Sequence, residues 1–118
     1  MKVNKDLKEE YKIKKFKIGV FQIRNTVNEK IFVDGSVNLD AIWNRHRMEL
    51  NFGNHRNEDM QKEWSAFGAD HFRFEIISEI DQSDNSKTDY TKEVKQLTEM
   101  FIDELTPFGE KGYNKPKK

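Results

Sequence analysis

The chain carries three histidines, His46, His55 and His71, and no cysteine. Imidazole is the side chain best suited to ligate a transition metal or to move a proton near neutral pH. A helical metal pair needs histidines four residues apart, so that both rings leave one face. None of these three stand at that spacing and none forms a close pair in sequence, so no metal site is expected. His46 falls instead on an apolar helical stripe, where a packed, hydrogen-bonded histidine is the simpler meaning. A cysteine nucleophile is excluded, and no G-x-S-x-G turn is present to expose a serine. Neither G-x-x-x-x-G-K-S/T nor G-x-G-x-x-G occurs, so a glycine-rich loop around a nucleotide's phosphates has no support.

What remains is positive charge interleaved with aromatic rings. Arg45, His46, Arg47, His55, Arg56 and Lys62 stand among Trp43 and Trp64, diluted by Glu49, Glu58, Asp59 and Glu63. Such a stretch is either a solvated helix surface or a set of phosphate contacts. Arg24, Arg45, Arg47, His55 and Arg56 are the candidates for the second role. Both tryptophans could stack on bases, but their places in apolar stripes favour core packing.

The chain must position these residues with modest means. It has 118 residues and a mass of 14.1 kDa, the size of one domain. Lys and Arg number 21 and so do Asp and Glu, so no net positive field draws nucleic acid in. Charged residues reach 36% against 35% hydrophobic, so the core must be built from large side chains, and nine Phe can supply it. Absence of Cys rules out a disulfide scaffold and thiolate zinc, and a cytoplasmic location is expected. No apolar run approaches the roughly 18 residues of a membrane span, and the lysine-rich start does not read as a secretory signal. Charge is nonetheless segregated. Residues 1–17 hold seven lysines against Asp6, Glu9 and Glu10, whereas residues 75–110 hold ten acids against three lysines. We read 1–17 as a basic extension, 18–114 as the domain and 115–118 as a basic, disordered tail. Solvated ends on an acidic helical face, or basic tails that touch phosphate, are the two meanings.

Residues 18–24 and 30–34 are β-branched and aromatic enough for two strands, with turn chemistry at Asn25 to Glu29 between them and a break at Gly35-Ser36. Asn38 is an N-cap for a helix whose Leu39, Ile42, Trp43, His46 and Leu50 share a face, and Gly53 ends it. A second helix runs from near Asn57 to Gly68, with Met60, Trp64 and Phe67 at helical spacing. Phe72, Phe74 and Ile76 alternate with Arg73 and Glu75 as a strand continuing to about residue 80. A polar loop covers 81–87, and a last helix runs from about Asp89 until Pro107 stops it. The order is β-β-α-α-β-α, an α+β domain.

The hairpin is similar to the opening of the GIY-YIG nuclease domain. Gly19-Val20-Phe21 stands for the family's Gly-Ile-Tyr, and Phe32-Val33-Asp34 for its Tyr-Ile-Gly. The Asn25-Thr26-Val27-Asn28 turn resembles the homing-endonuclease branch. The likeness continues through Trp43-Asn44-Arg45-His46, Phe52-Gly53-Asn54-His55 and the 67–80 stretch, and ends at Gly112-Tyr113-Asn114. It implies a small three-stranded antiparallel sheet flanked by helices. It also implies phosphodiester cleavage with one divalent metal such as Mg²⁺, a tyrosine hydroxyl activating water, a helical arginine on the phosphate and a glutamate on the metal.

Carried over position by position, most of that set is absent. The two tyrosines are Phe21 and Phe32, the motif glycine is Asp34, the arginine is Ile42 and the glutamate is Thr98; Asn114 alone matches. Arg45 lies one helical turn beyond Ile42, and Glu99 is displaced about 100° around its helix. The expectation is therefore a nuclease-like domain without hydrolysis and without a cofactor, binding DNA or RNA weakly. A divergent metal-dependent endonuclease using Arg45, Glu99 or Asp34 is the alternative. A protein-interaction domain presenting an apolar Phe21/Phe32/Ile42 surface is a third reading.

Overall fold

A computed structural model describes residues 16–82 and 89–115. Residues 1–15 of the proposed 1–17 extension, most of the 81–87 loop and the end of the tail lie outside the described residues. The elements are β1 (Gly19–Asn25), β2 (Ile31–Ser36), α1 (Leu39–Phe52), α2 (Glu58–Phe67), a 3₁₀ turn (Ala69–His71), β3 (Phe72–Glu79) and α3 (Thr91–Leu105). The strands form one antiparallel sheet of order β2-β1-β3, in the expected α+β arrangement. Asn25 Oδ1 holds the Val27 N–H and Asn28 Oδ1 the Lys30 N–H, so the turn's two asparagines fix the β1–β2 connection.

Helix ends follow the capping residues. Asn38 Oδ1 accepts from the Ala41 N–H at 3.1 Å, and Gly53 takes the left-handed conformation that closes α1. Asn57 Oδ1 accepts from the Met60 N–H at 2.9 Å at the start of α2. Asp89 Oδ1 accepts from the Thr91 N–H just ahead of α3, which begins at Thr91, two residues after the expected start near Asp89.

Side chains alternate across the sheet with period two. Phe21, Ile23 and Phe72 face α1 and α2 and enclose the main core with Leu39, Leu50, Met60, Trp64 and Tyr113. Both tryptophans belong to this packing: Trp64 lies against Phe72, and Trp43 stacks on Phe74. On the other face, α3 covers Ile18 and Ile80 through Val94 and Leu97.

The expected break at Gly35-Ser36 does not occur; β2 pairs with β1 through both residues. The glycine serves packing rather than a turn. A Cβ on Gly35 would stand 2.1 Å from Thr98 Oγ1 and 2.6 Å from Val94 Cγ1, so only a bare backbone lets α3 seat on this strand. No described helix is long and apolar enough to cross a membrane.

Candidate functional site

The positions singled out from the hairpin divide between two faces. On the α1–α2 side, Phe32, Asp34 and Ile42 line a cleft of ≈ 300 Å³ with His46, Arg56, Asn57, Asn114 and Lys115. Phe21 is absent from that lining. It is fully buried, with its ring against Phe74 and His46. Thr98 belongs to the opposite side, buried beneath Gly35 with its hydroxyl donating to the Val94 carbonyl at 2.7 Å. With Glu99, Lys95 and Val94 it borders a separate groove of ≈ 660 Å³. Asp34 borders both depressions. The apolar Phe21/Phe32/Ile42 surface expected for a protein partner is not formed, because Phe21 exposes nothing.

Asn114, the one matching position, acts on the backbone. Its Oδ1 accepts the Val33 N–H and its Nδ2 donates to the Val33 carbonyl, both at 2.8 Å. The C-terminal segment is thereby sewn to β2, helped by Tyr113 N–H to Ile31 O and by the Ile31–Gly112 bridge. The Tyr113 hydroxyl donates to Glu63 and accepts from Asn25 Nδ2. Burial and the Glu63 carboxylate raise the phenol's pKa well above its ordinary value. Burial pushes Glu63 up, but the Tyr113 hydroxyl, the Asn28 amide and the Lys30 ammonium outweigh it and hold the carboxyl low.

The basic candidates also separate. Arg24 lies on the α3 face of the sheet, bidentate to Glu75 and paired with Glu29, away from the cleft. Arg45 pairs with Glu49, and Arg47 bonds Asn44 over the Trp43 ring. His55 is buried at 5% exposure and so is no surface contact. Arg56 alone of the five lines the cleft, and its guanidinium makes no hydrogen bond or ion pair among the described residues. Its charge opposes the upward push that burial gives the Asp34 carboxyl.

Spacing offered no close histidine pair, yet the fold makes one: His46 Nδ1 and His55 Nε2 are 2.7 Å apart. Helix α1 carries the first, and the loop after Gly53 turns the second back onto it. No pattern in sequence distance encodes that return; the only signal was that both histidines fell within the stretches resembling the family.

The hydrogen bonds fix the protons. The Asn57 backbone N–H can only donate, and it donates to His55 Nδ1 at 2.9 Å. The neutral His55 ring then carries its proton on Nε2, which faces His46 Nδ1 and must donate. His46 Nδ1 is the acceptor, so the His46 proton sits on Nε2. Burial, the neighbouring His55 and the Arg56 and Arg45 charges push the His46 pKa down to about 4, against the pull of Glu49. Burial and Arg56 lower His55 likewise.

The divalent metal that the resemblance implies does not fit these donors. His46, Glu49 and His55 bring ligand atoms within 4.8 Å of one another. But His55 Nδ1 already accepts from Asn57, so freeing its Nε2 lone pair for a metal would leave the ring with no proton at all. In the cleft, Asp34 is the lone carboxylate of the lining, and Thr98 borders the other groove. A hard cation needs several oxygen ligands in one place.

The three-stranded β2-β1-β3 sheet, its hairpin and the closing Gly112-Tyr113-Asn114 segment have the fold of a GIY-YIG homing-endonuclease catalytic domain. No family model matches the chain. Among solved structures it is similar to the catalytic domain of homing endonuclease I-TevI. That match has a TM-score of 0.70 at 26% identity and covers 85% of this chain and 99% of that one. It is also similar to a mutant of the catalytic domain of intron endonuclease I-TevI, with a TM-score of 0.69 at 29% identity over 84% and 93% of the two chains. In sequence, 64 residues are 33% identical to intron-associated endonuclease 1 of Enterobacteria phage T4, 54% of this chain and 26% of that protein. The match thus spans about a quarter of that curated relative's length.

Proposed function

We propose that this chain is a nucleic-acid-binding module on a homing-endonuclease-like scaffold that no longer hydrolyses phosphodiesters. The observation that carries the reading is the separation of the family-equivalent positions: Phe21 lies in the core, Phe32 and Ile42 give the cleft carbon in place of hydroxyl and guanidinium, and Thr98 sits on the far face. Loss of a general base costs about 10²–10⁴ in rate, and loss of one electrostatic stabiliser costs roughly 10²–10³. These losses do not multiply freely, because the groups act as a unit, but the smallest alone leaves a poor nuclease.

The partner class rests on the endonuclease relatives and on Arg56, an exposed cation at the cleft with no hydrogen bond or ion pair among the described residues. With no net charge to help, binding is weak and falls steeply with salt. Plasmid incubated with excess protein and Mg²⁺ or Mn²⁺ is expected to stay intact, while fluorescence anisotropy with labelled DNA and RNA detects salt-sensitive binding. Metal-dependent nicking that vanishes in Arg45→Ala would instead establish the divergent endonuclease.

A further inference from the structure

Strand β3 is an edge of the sheet, so one side of its backbone meets no partner strand among the described residues. The bonds at the end of the sheet say which residues own that side. Asn25 N–H donates to Lys30 O and Thr26 N–H to His71 O, so odd residues of β1 bond β2 and even ones bond β3. Gln22 and Arg24 stand opposite Glu75 and Arg73, whose backbone groups therefore turn inward to β1. Those of Phe72, Phe74 and Ile76 turn outward. Phe72 N–H is taken by Ala69 O, but both backbone groups of Phe74 and Ile76 stay open. Helices α1 and α3 make their main contacts with β1 and β2, not with β3. Ile76, 40% exposed, and the half-buried Phe74 give the edge an apolar side.

The charges say what fits there. Arg24 and Arg73 lie directly opposite each other on neighbouring strands, an unfavourable like-charge pair. Arg24 is paired with Glu75 and Glu29. Arg73 has only the backbone carbonyls of Asp70 at 2.7 Å and Phe72 at 3.3 Å, and no carboxylate within ion-pair distance among the described residues.

This edge is complementary to itself. Set a second copy antiparallel, about a two-fold axis at Phe74. Phe74 then faces its own copy, Phe72 faces the second copy's Ile76, and Arg73 faces the second copy's Glu75. Outward residues meet outward residues, and the guanidinium gains a carboxylate. An axis at Glu75 would set that acid against itself. An axis at Ile76 would set Phe74 against Ser78, which turns inward because the register shifts at Ile77.

We propose that two copies of this chain pair through β3, antiparallel about Phe74, joining their sheets into one. The pairing is independent of the nucleic-acid reading. The contact is short, so it is reversible and grows with concentration.

The test uses the full chain at micromolar to millimolar concentration, without metal or nucleic acid. Sedimentation velocity is expected to show a monomer passing reversibly to a dimer. Amide hydrogen exchange followed by NMR needs no variant. Phe74 and Ile76 are expected to gain protection as concentration rises, while Arg73 and Glu75 stay protected at every dilution. Ile76→Pro removes an outward N–H at a place where an edge strand accepts proline, and weakens pairing about tenfold or more. Arg73→Glu sets carboxylates against each other and weakens it likewise, and adding Glu75→Arg restores it. Circular dichroism checks that each variant folds; if Ile76→Pro does not, the exchange rates and the charge swap decide. A monomer at every concentration, with Phe74 and Ile76 exchange unchanged, overturns the proposal. So does a dimer that survives Arg73→Glu with those two amides unprotected.

Discussion

Two polar corners of the same core make opposite use of burial. In the Tyr113 corner, Tyr113, Glu63, Asn25, Asn28 and Lys30 close on one another, and each buried polar atom meets a partner. Beside the cleft, the His55–His46 chain ends on a buried ring nitrogen with no hydrogen-bond partner among the described residues. A network closed on itself stabilises; a network left open at one end leaves a buried polar atom unsatisfied, which is costly. Asn57 belongs to both corners, its backbone N–H fixing the histidines and its side chain holding Tyr113 O.

The largest effect should come from removing what the corners share. Asn57→Ala deletes the α2 cap and the bond to Tyr113, and we expect a loss of about 2–4 kcal/mol in urea denaturation. A loss below about 1 kcal/mol would mean that the corners stand independently.

Acid should separate them next. His46 has a folded-state pKa of about 4 against 6.5 in the unfolded chain. Between those values the unfolded state binds more protons, so stability is complete above pH 6.5 and declines as pH falls toward 4. The decline is expected to reach roughly 3 kcal/mol at most. Glu63, held below its ordinary value by its partners, resists protonation longer than a free carboxyl as pH falls. Indole fluorescence melts at successive pH values check this; a flat profile over the window would show that the histidine pair is not neutral in the folded chain.

Tyr113→Phe removes one hydroxyl from the closed corner and is expected to cost about 1–2 kcal/mol by chemical denaturation. Phe32→Tyr adds one at the half-buried edge of the cleft and should stay within about 0.5 kcal/mol of the parent. Equal costs would erase the distinction between a closed and an open corner. The smallest effect is Arg24→Ala. It breaks a partly exposed pair on the far face, and we expect neither the thermal midpoint nor DNA affinity to move measurably. A drop in affinity would extend the binding surface to that side of the sheet.

The fold was legible where local chemistry and periodicity coincide. Asn38, Gly53, Asn57 and Gly68 announce helix ends, and the Phe72-Phe74-Ile76 alternation announces a strand, because each signal acts within a few residues of itself. Gly35 misled for the complementary reason: its bare backbone answers to Val94 and Thr98, far along the chain, and nothing nearby tells a packing glycine from a breaking one. The site was less legible. Arg56 could be counted among the basic candidates, but not separated from Arg24 until the sheet placed them on opposite faces. The histidine pair depends on a loop reversal after Gly53 and was invisible to spacing.

The double duty of Asn57 also has a temporal meaning. The proton order of the cleft is set in the middle of the chain, but the amide that sets it is steadied by Tyr113, and β2 by Asn114, at the far end of the domain. On a ribosome, the strands and the first two helices emerge long before those residues. A nascent chain can bury Phe21 and Ile23 early, yet it cannot finish the cleft until this last stitch has left the exit tunnel. The domain would then close late and all at once, only when its whole length has emerged.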